Sequence, residues 1–264
     1  MELGDVEHPR VVVAVGTSVD SRVTLSSDRL LLDEATRRVW DSLQPQTMRA
    51  VADARGAQIE RAYQPQAVLE GSGTFVTSAA GPLIGLPTDA ATASLYADFL
   101  PDEVVHDPGR EKWFTVVDGR GRVRWRGHGE NGFRLLVLVA AATPSGYLSY
   151  LRQERIPYLV AGKERVDLAA ALRRMASRLG VTCVVSQAGG GLNGALLRAG
   201  LIDELHLLVF PALIGGKGTP TLVDGPELAG NEPPTPLHLV SAHAQTDGTL
   251  WLHYEVVRAA GEKQ

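Results

Sequence analysis

The stretch that decides the fold is "VTCVVSQAGGGLNGALLRAGLIDELHLLVFPALIGG", residues 181–216. It opens on an apolar run too short and too rich in valine for a helix, so "VTCVVS" is predicted as a buried strand. Gly189, Gly190 and Gly191 then break the chain. A helix is expected over Asn193 to Ala199 with Gly200 as its C-cap, and "DELHLLVFPALIG" returns a strand. A strand, a glycine turn and a helix in that order mark a βα junction. In open α/β sheets the ligand lies at such carboxyl strand ends. Glycine there lets backbone N–H groups approach a pyrophosphate, and the helix start adds partial positive charge. The spacing is not G-x-G-x-x-G, and "GGKGT" at 215–219 lacks the Ser or Thr that must follow a Walker lysine. By spacing alone the glycines are a plain turn or a cofactor loop, and both readings stand.

Outward from that stretch, the alternation continues. Val11 to Val15 read as a strand, Asp33 to Leu43 as a helix stopped by Pro45, and a second helix runs from Thr47 towards Arg55. "QAVLEGSGTF" is a strand breaking into Gly71, Ser72, Gly73 and Thr74, a second glycine loop that would let two loops hold opposite ends of one dinucleotide. Residues 77–112 hold four prolines and little periodicity, the mark of a functional excursion or a plain surface one. "WFTVVDGRGRVRWRG" predicts a hairpin about Asp118-Gly119-Arg120-Gly121. Thr143 with Pro144 is expected to cap a helix through Leu151, and Asp167 and Gly180 to bound another. Two last alternating runs flank Asp247-Gly248 as a C-terminal hairpin. One domain over 10–258 with flexible ends at 1–9 and 259–264 accounts for this order.

The totals exclude several classes. Hydrophobic residues make up 44% and charged ones 21% of 264 residues, which are globular values. A net charge of −4 gives no bulk attraction to nucleic acid or anionic lipid. Cys183 is the only cysteine, read as a small buried strand residue rather than a nucleophile. The start "MELGDVEHPR" has no apolar h-region, and no run reaches membrane-span length, so a cytoplasmic protein is expected. The seven histidines show no zinc spacing with a carboxylate or thiol, and no metal is predicted. Gly16-Thr17-Ser18 forms no nucleophile elbow. Lys163 and Lys217 read as solvated lysines.

The long 186–216 stretch resembles the signature of the RibD C-terminal family, the reductase domain of riboflavin biosynthesis: a strand, a Gly-rich turn, Leu-Asn, "LL-x-AGL-x-DEL" and "P-x-L-x-GG". "TSVDSRVTL" at 17–25 is similar to the family's "SLDGR" segment, "EGSGT" at 70–74 to its "VGxGT", and "VVDGRGRV" at 116–123 to its central hairpin. The resemblance implies a dihydrofolate-reductase-like α/β fold, with a mostly parallel central sheet flanked by helices and a C-terminal antiparallel hairpin. It implies NADPH as cofactor, a homodimer, and reduction of a ribosylamino-pyrimidine phosphate. By the same resemblance Gly71, Ser72, Gly73, Thr74, Ser186, Gly189, Gly190, Gly191 and Leu192 line the cofactor. Gly119 and either Arg120 or Arg122 lie near the adenosine 2′-phosphate. Asp20 is the implied catalytic residue, stabilising a cation or relaying a proton, with Thr17 and Gln187 on the substrate side.

The departures fall on that substrate side. Gln187 stands where the family carries a Glu that contacts substrate, and an amide cannot act as a base. Ala188 replaces a glycine, Gly191 stands where Thr is common, Ser21 replaces a glycine, and the "DNPxLTxR" run after the first glycine loop is absent. A dihydrofolate or dihydropterin reductase, and a degenerate NADPH-binding member without catalysis, are the competing expectations.

Overall fold

The computed structural model describes residues 8–86 and 93–258. The expectation of flexible ends therefore lies outside the described residues for 1–7 and 259–264. The backbone divides into two compact units: residues 65–184 with the start of the chain, and residues 10–64 with 185–264.

In the first unit the strands are β2 (Ala67–Gly71), β3 (Lys112–Val117), β4 (Phe133–Val139) and β5 (Tyr158–Val160), ordered β5-β4-β3-β2 and all parallel. β4 reads Leu-Leu-Val-Leu-Val because a parallel strand is covered on both faces. Helix α4 (Ser145–Gln153) brings Tyr147, Leu148 and Leu151 onto Val116, Val137 and Val139. Helix α5 (Leu168–Leu179) begins as expected: Asp167 accepts a hydrogen bond from the Ala170 N–H, and Gly180 ends the helix at φ +66°. The 77–112 excursion carries a 3-10 turn at Ala93–Tyr96 and the short α3 (Asp102–Val105).

In the second unit β1 (Arg10–Ser18) pairs in parallel with β7 (Glu204–Phe210). β9 (Leu250–Val256) then pairs antiparallel with β7, and β8 (Leu237–Ala244) antiparallel with β9. The C-terminal hairpin is thus present as expected. α1 (Glu34–Ser42) and α2 (Met48–Tyr63) supply Trp40, Met48 and Val51 to a core with Phe210 and Trp251, where Trp40 meets Phe210 edge-on at 5.2 Å. Arg55 of α2 donates to the carbonyls of Val15 and His206, which fastens the helix to β1 and β7. α2 runs eight residues beyond the expected Arg55, and Gln64 at φ 45° ends it. β6 (Cys183–Ser186) carries the chain from the first unit into the second, with Cys183 buried.

Three local expectations are corrected. The run around Asp118 is no hairpin: β3 is held between parallel neighbours, and residues 121–126 form no strand. The turn is closed by a side chain instead, because Asp118 accepts from the backbone N–H groups of Arg122 and Val123 and from the Tyr147 hydroxyl. Gly121, at φ +63°, lets the chain pass over the Tyr147 ring, where a Cβ would lie 2.7 Å from an aromatic carbon. Thr143 does not cap α4; its hydroxyl accepts from the Ala140 N–H and donates to the Gly119 carbonyl, and Pro144 precedes the helix. Finally, α6 (Gly190–Arg198) begins three residues before the expected Asn193.

That early start follows from contact. A Cβ on Gly190 would overlap the Asp224 carboxylate and the Thr221 carbonyl, and one on Gly194 would overlap the Asp224 carbonyl oxygen. The Asp224 N–H donates to the Gly190 carbonyl at 2.9 Å. Gly194→Ala is expected to cost about 2 kcal/mol or more, since backbone rather than a flexible side chain would have to move. Chemical denaturation of the variant checks this, and an unchanged midpoint would refute the close packing.

Candidate functional site

The site residues of the second unit gather at the carboxyl ends of β1 and β6. Ser186 ends β6 with its hydroxyl buried and donating to Asn193 Oδ1 at 2.9 Å. The Asn193 amide in turn donates to the carbonyls of Ala188 (2.8 Å) and Leu222 (3.2 Å). Ser186 therefore braces the glycine loop from inside, and Asn193, which the sequence placed only in a helix, is the residue that fixes it. Gln187 is exposed and Ala188 buried. Gly189 and Gly191 are exposed, a Cβ on Gly191 would meet nothing within 4 Å, and no side chain caps α6. Uncapped N–H groups at an open helix start are an anion-binding arrangement. Leu192 lies half-buried behind them.

Asp20 follows β1 in a tight turn. Its carboxylate accepts from the Ser18 hydroxyl at 2.6 Å, the Ile214 N–H at 3.1 Å and the Gly215 N–H at 2.7 Å, with Arg22 Nε at 3.5 Å. The Ser18 hydrogen bond, then those from the backbone, hold this carboxyl well below the usual carboxylate range. The group therefore stays ionised across the neutral range. Ser21 sits at φ 61°, a conformation that suits the glycine of the family pattern. Thr17 is buried in β1.

In the first unit, Gly71 ends β2 and Ser72–Thr74 form a 3-10 turn. Arg122 is buried; it donates to Ser72 Oγ at 2.7 Å and to the Thr77 carbonyl at 3.2 Å, while its Nε has no partner among the described residues. The fold thus joins the first glycine loop to the Gly119–Arg122 turn. It also separates the two arginines: Arg122 braces Ser72, whereas Arg120 is exposed with no ion-pair partner among the described residues. Glu70, which the sequence reading passed over, lies buried at the root of the loop. It accepts from the Thr74 hydroxyl at 2.8 Å, and burial pushes its carboxyl up to about 7. A lone acid in the apolar run "AVLEG" was the available signal.

The expectation of no metal-ligating set meets one cluster among the described residues. Glu204, His206 and His253 bring their ligand atoms within 4.8 Å of one another. The set was invisible to spacing because His253 arrives from β9, opposite His206 in register. Glu204 Oε2 accepts from His253 Nε2 at 2.9 Å, with His206 Nε2 at 3.4 Å, while Arg10 and the Tyr63 hydroxyl donate to Oε1. The two imidazoles stack at 3.9 Å with 19° between their planes, so their in-plane lone pairs run side by side rather than meet at one point. The cluster is a buried clasp between β7, β9 and α2.

Residues 9–252 match the profile of the RibD C-terminal domain, and the chain belongs to that family. Its fold is that of pyrimidine-reductase-type proteins. A pyrimidine reductase-like protein of Corynebacterium diphtheriae superposes with a TM-score of 0.57 at 16% identity, over 98% of this chain and 96% of that one. A riboflavin biosynthesis reductase of Saccharomyces cerevisiae does so with 0.55 at 14% identity, over 97% and 93%. Among curated relatives, the 2,5-diamino-6-ribosylamino-4(3H)-pyrimidinone 5′-phosphate reductase of Methanothermobacter thermautotrophicus is 36% identical over 87 residues, 33% of this chain and 39% of its own length. That of Archaeoglobus fulgidus is 34% identical over 112 residues, 42% of this chain and 50% of its own. This chain thus matches half or less of the length of these relatives.

The clasp gives a pH prediction. Burial alone would raise the Glu204 carboxyl, but hydrogen bonds from His206, Tyr63 and His253 outweigh it and hold the group at about 2. Burial also lowers His206. A neutral buried His206 contributes stability that is lost as pH falls through the unfolded value near 6.5, and ionised Glu204 contributes stability lost between about 4.5 and about 2. Urea midpoints should fall in these two windows. Glu204→Gln should shrink the lower one, to which Asp20 and Asp247 also contribute, and cost about 2 kcal/mol at neutral pH; an unaltered acid profile in the variant would contradict the assignment.

Proposed function

We propose that this chain is an NADPH-dependent reductase of a ribosylamino-pyrimidine phosphate or a related pyrimidine or pterin compound. The observation that carries the reading is the uncapped start of α6, where exposed Gly189 and Gly191 leave backbone N–H groups open to a phosphate. Family membership and the names of the curated reductases supply the chemistry. NADPH, when bound, would supply the hydride; the protein's work is to hold two reactants in register.

Gly71–Thr74, braced by Arg122, and Gly189–Leu192 are the segments that would hold the cofactor, with exposed Arg120 meeting the 2′-phosphate by a charge-assisted contact. Asp20, permanently ionised, favours positive charge developing on an opened ribosylamine carbon. Thr17 and Gln187 complete the substrate side. Gln187 supports a second reading, a member whose substrate differs from that of the pyrimidinone phosphate reductases, since the charge the family places there is missing. Dihydropterin reduction and cofactor binding without turnover belong to that reading. A homodimer is proposed as well: the edge strand β8, "LHLVSAHA", carries no Asp, Glu, Lys or Arg and is exposed along most of its length, an edge without the usual protection.

Loss of reduced-nicotinamide absorbance with the ribosylamino-pyrimidine 5′-phosphate, with dihydrofolate, and with neither tests the reading. Turnover of the first is expected, and Gln187→Glu should raise its kcat/KM about tenfold, some 1.4 kcal/mol of transition-state stabilisation. Arg120→Ala should weaken NADPH about tenfold while leaving NADH unchanged. If NADPH neither binds by calorimetry nor raises the melting temperature, the reductase reading is wrong.

A further inference from the structure

Glu70 is the buried acid that the reading above does not use. It ends the apolar run of β2, where the family pattern "VGxGT" has valine, and its carboxyl reaches forward one turn to the Thr74 hydroxyl. Only 9% of the residue is exposed. Among the described residues no cation bears on it. In register on β3, Val116 lies opposite Glu70, between Thr115 and Val117. In the adjoining turn, the Arg122 guanidinium is directed to Ser72 Oγ and the Thr77 carbonyl, and Asp118 is bound to backbone N–H groups and Tyr147. The Thr74 hydroxyl and the Gly71 backbone are the groups that bear on the carboxyl directly, and neither is charged.

A carboxylate in such surroundings loses its hydration without gaining a counter-charge, so the neutral acid is the favoured form. The loop it supports is the one assigned to a dianionic pyrophosphate or phosphate. A second negative charge brought to Gly71–Thr74 would penalise ionised Glu70 further and leave protonated Glu70 unaffected.

We propose that Glu70 is a protonatable positioning residue beneath the first glycine loop: it takes up a proton when the phosphate-bearing cofactor settles there, so that cofactor affinity and the protonation of this carboxyl are linked. The protonated acid keeps the Thr74 hydroxyl as partner and adds an O–H donor to the root of the loop, while ionised Glu70 repels the ligand. The inference rests on the cofactor reading, and binding should weaken as pH rises through neutrality.

The test is calorimetric titration of wild type and Glu70→Gln with NADPH between about pH 6 and about pH 8, in two buffers of different ionisation heat; linkage of one proton predicts a wild-type affinity loss of roughly five- to tenfold across that interval. The 2′-phosphate of the ligand titrates near 6, and the variant corrects for it because it lacks only the carboxyl. Excess proton uptake in wild type that Glu70→Gln lacks supports the proposal. Equal proton uptake and equal pH dependence in both proteins overturn it while leaving the cofactor reading intact. Binding by neither protein at any pH overturns the cofactor reading, and this proposal falls with it. Should Glu70→Gln not fold, Thr74→Val serves instead. Removing a hydroxyl that favours the carboxylate should move the midpoint of the pH dependence upward, and a midpoint that stays put or falls counts against Glu70.

Discussion

Gly190 and Gly194 lie one helical turn apart on α6, and both accept the 221–224 segment at a distance no side chain would allow. This close approach fixes where the helix begins. With Gly190 turned inward, Gly189 and Gly191 are turned outward, and the first N–H groups of the helix are presented rather than covered. The glycine run thus divides its labour: the middle one serves packing and the outer two leave the helix end bare. Asn193, bonded to Ser186, Ala188 and Leu222, holds the arrangement from behind.

Asp20 ties a second pair of segments. By accepting from Ile214 and Gly215, it fastens the turn after β1 to the loop after β7. An Asp in the early turn and the "PALIGG" run far along the chain thus meet in space. A carboxylate held this way stays ionised and is a fixed negative charge. The acids of the two loops are opposites in this respect: half-exposed Asp20, with several donors, stays ionised, whereas burial holds Glu70 at about 7, where it can take up a proton.

Much of the architecture was legible because strong local signals agreed with the tertiary outcome. The valine-rich runs of β1 and β6, the Asp167 and Gly180 boundaries of α5, and the Asp247-Gly248 hairpin each act within a few residues. The failures share a cause, which is that a distant partner overrode the local pattern. "VVDGRGRV" reads as a hairpin until Asp118 is seen satisfying the backbone itself and β3 is seen between parallel strands. The start of α6 depends on Asp224, and the Glu204 clasp needs β9 laid beside β7. Of the site, the glycine loops were visible as residue types, whereas the division between Arg120 and Arg122, and the roles of Asn193 and Glu70, required knowing which side chains turn inward.

Cys183 brings one last consequence. The sole thiol of the chain lies in β6, where the backbone passes from one compact unit to the other, and it is 2% exposed. A reagent can reach that sulfur only when this strand parts from its surroundings. The protein therefore carries an intrinsic reporter: the rate at which a thiol-specific dye labels it in native buffer measures how often β6 comes away from its packing.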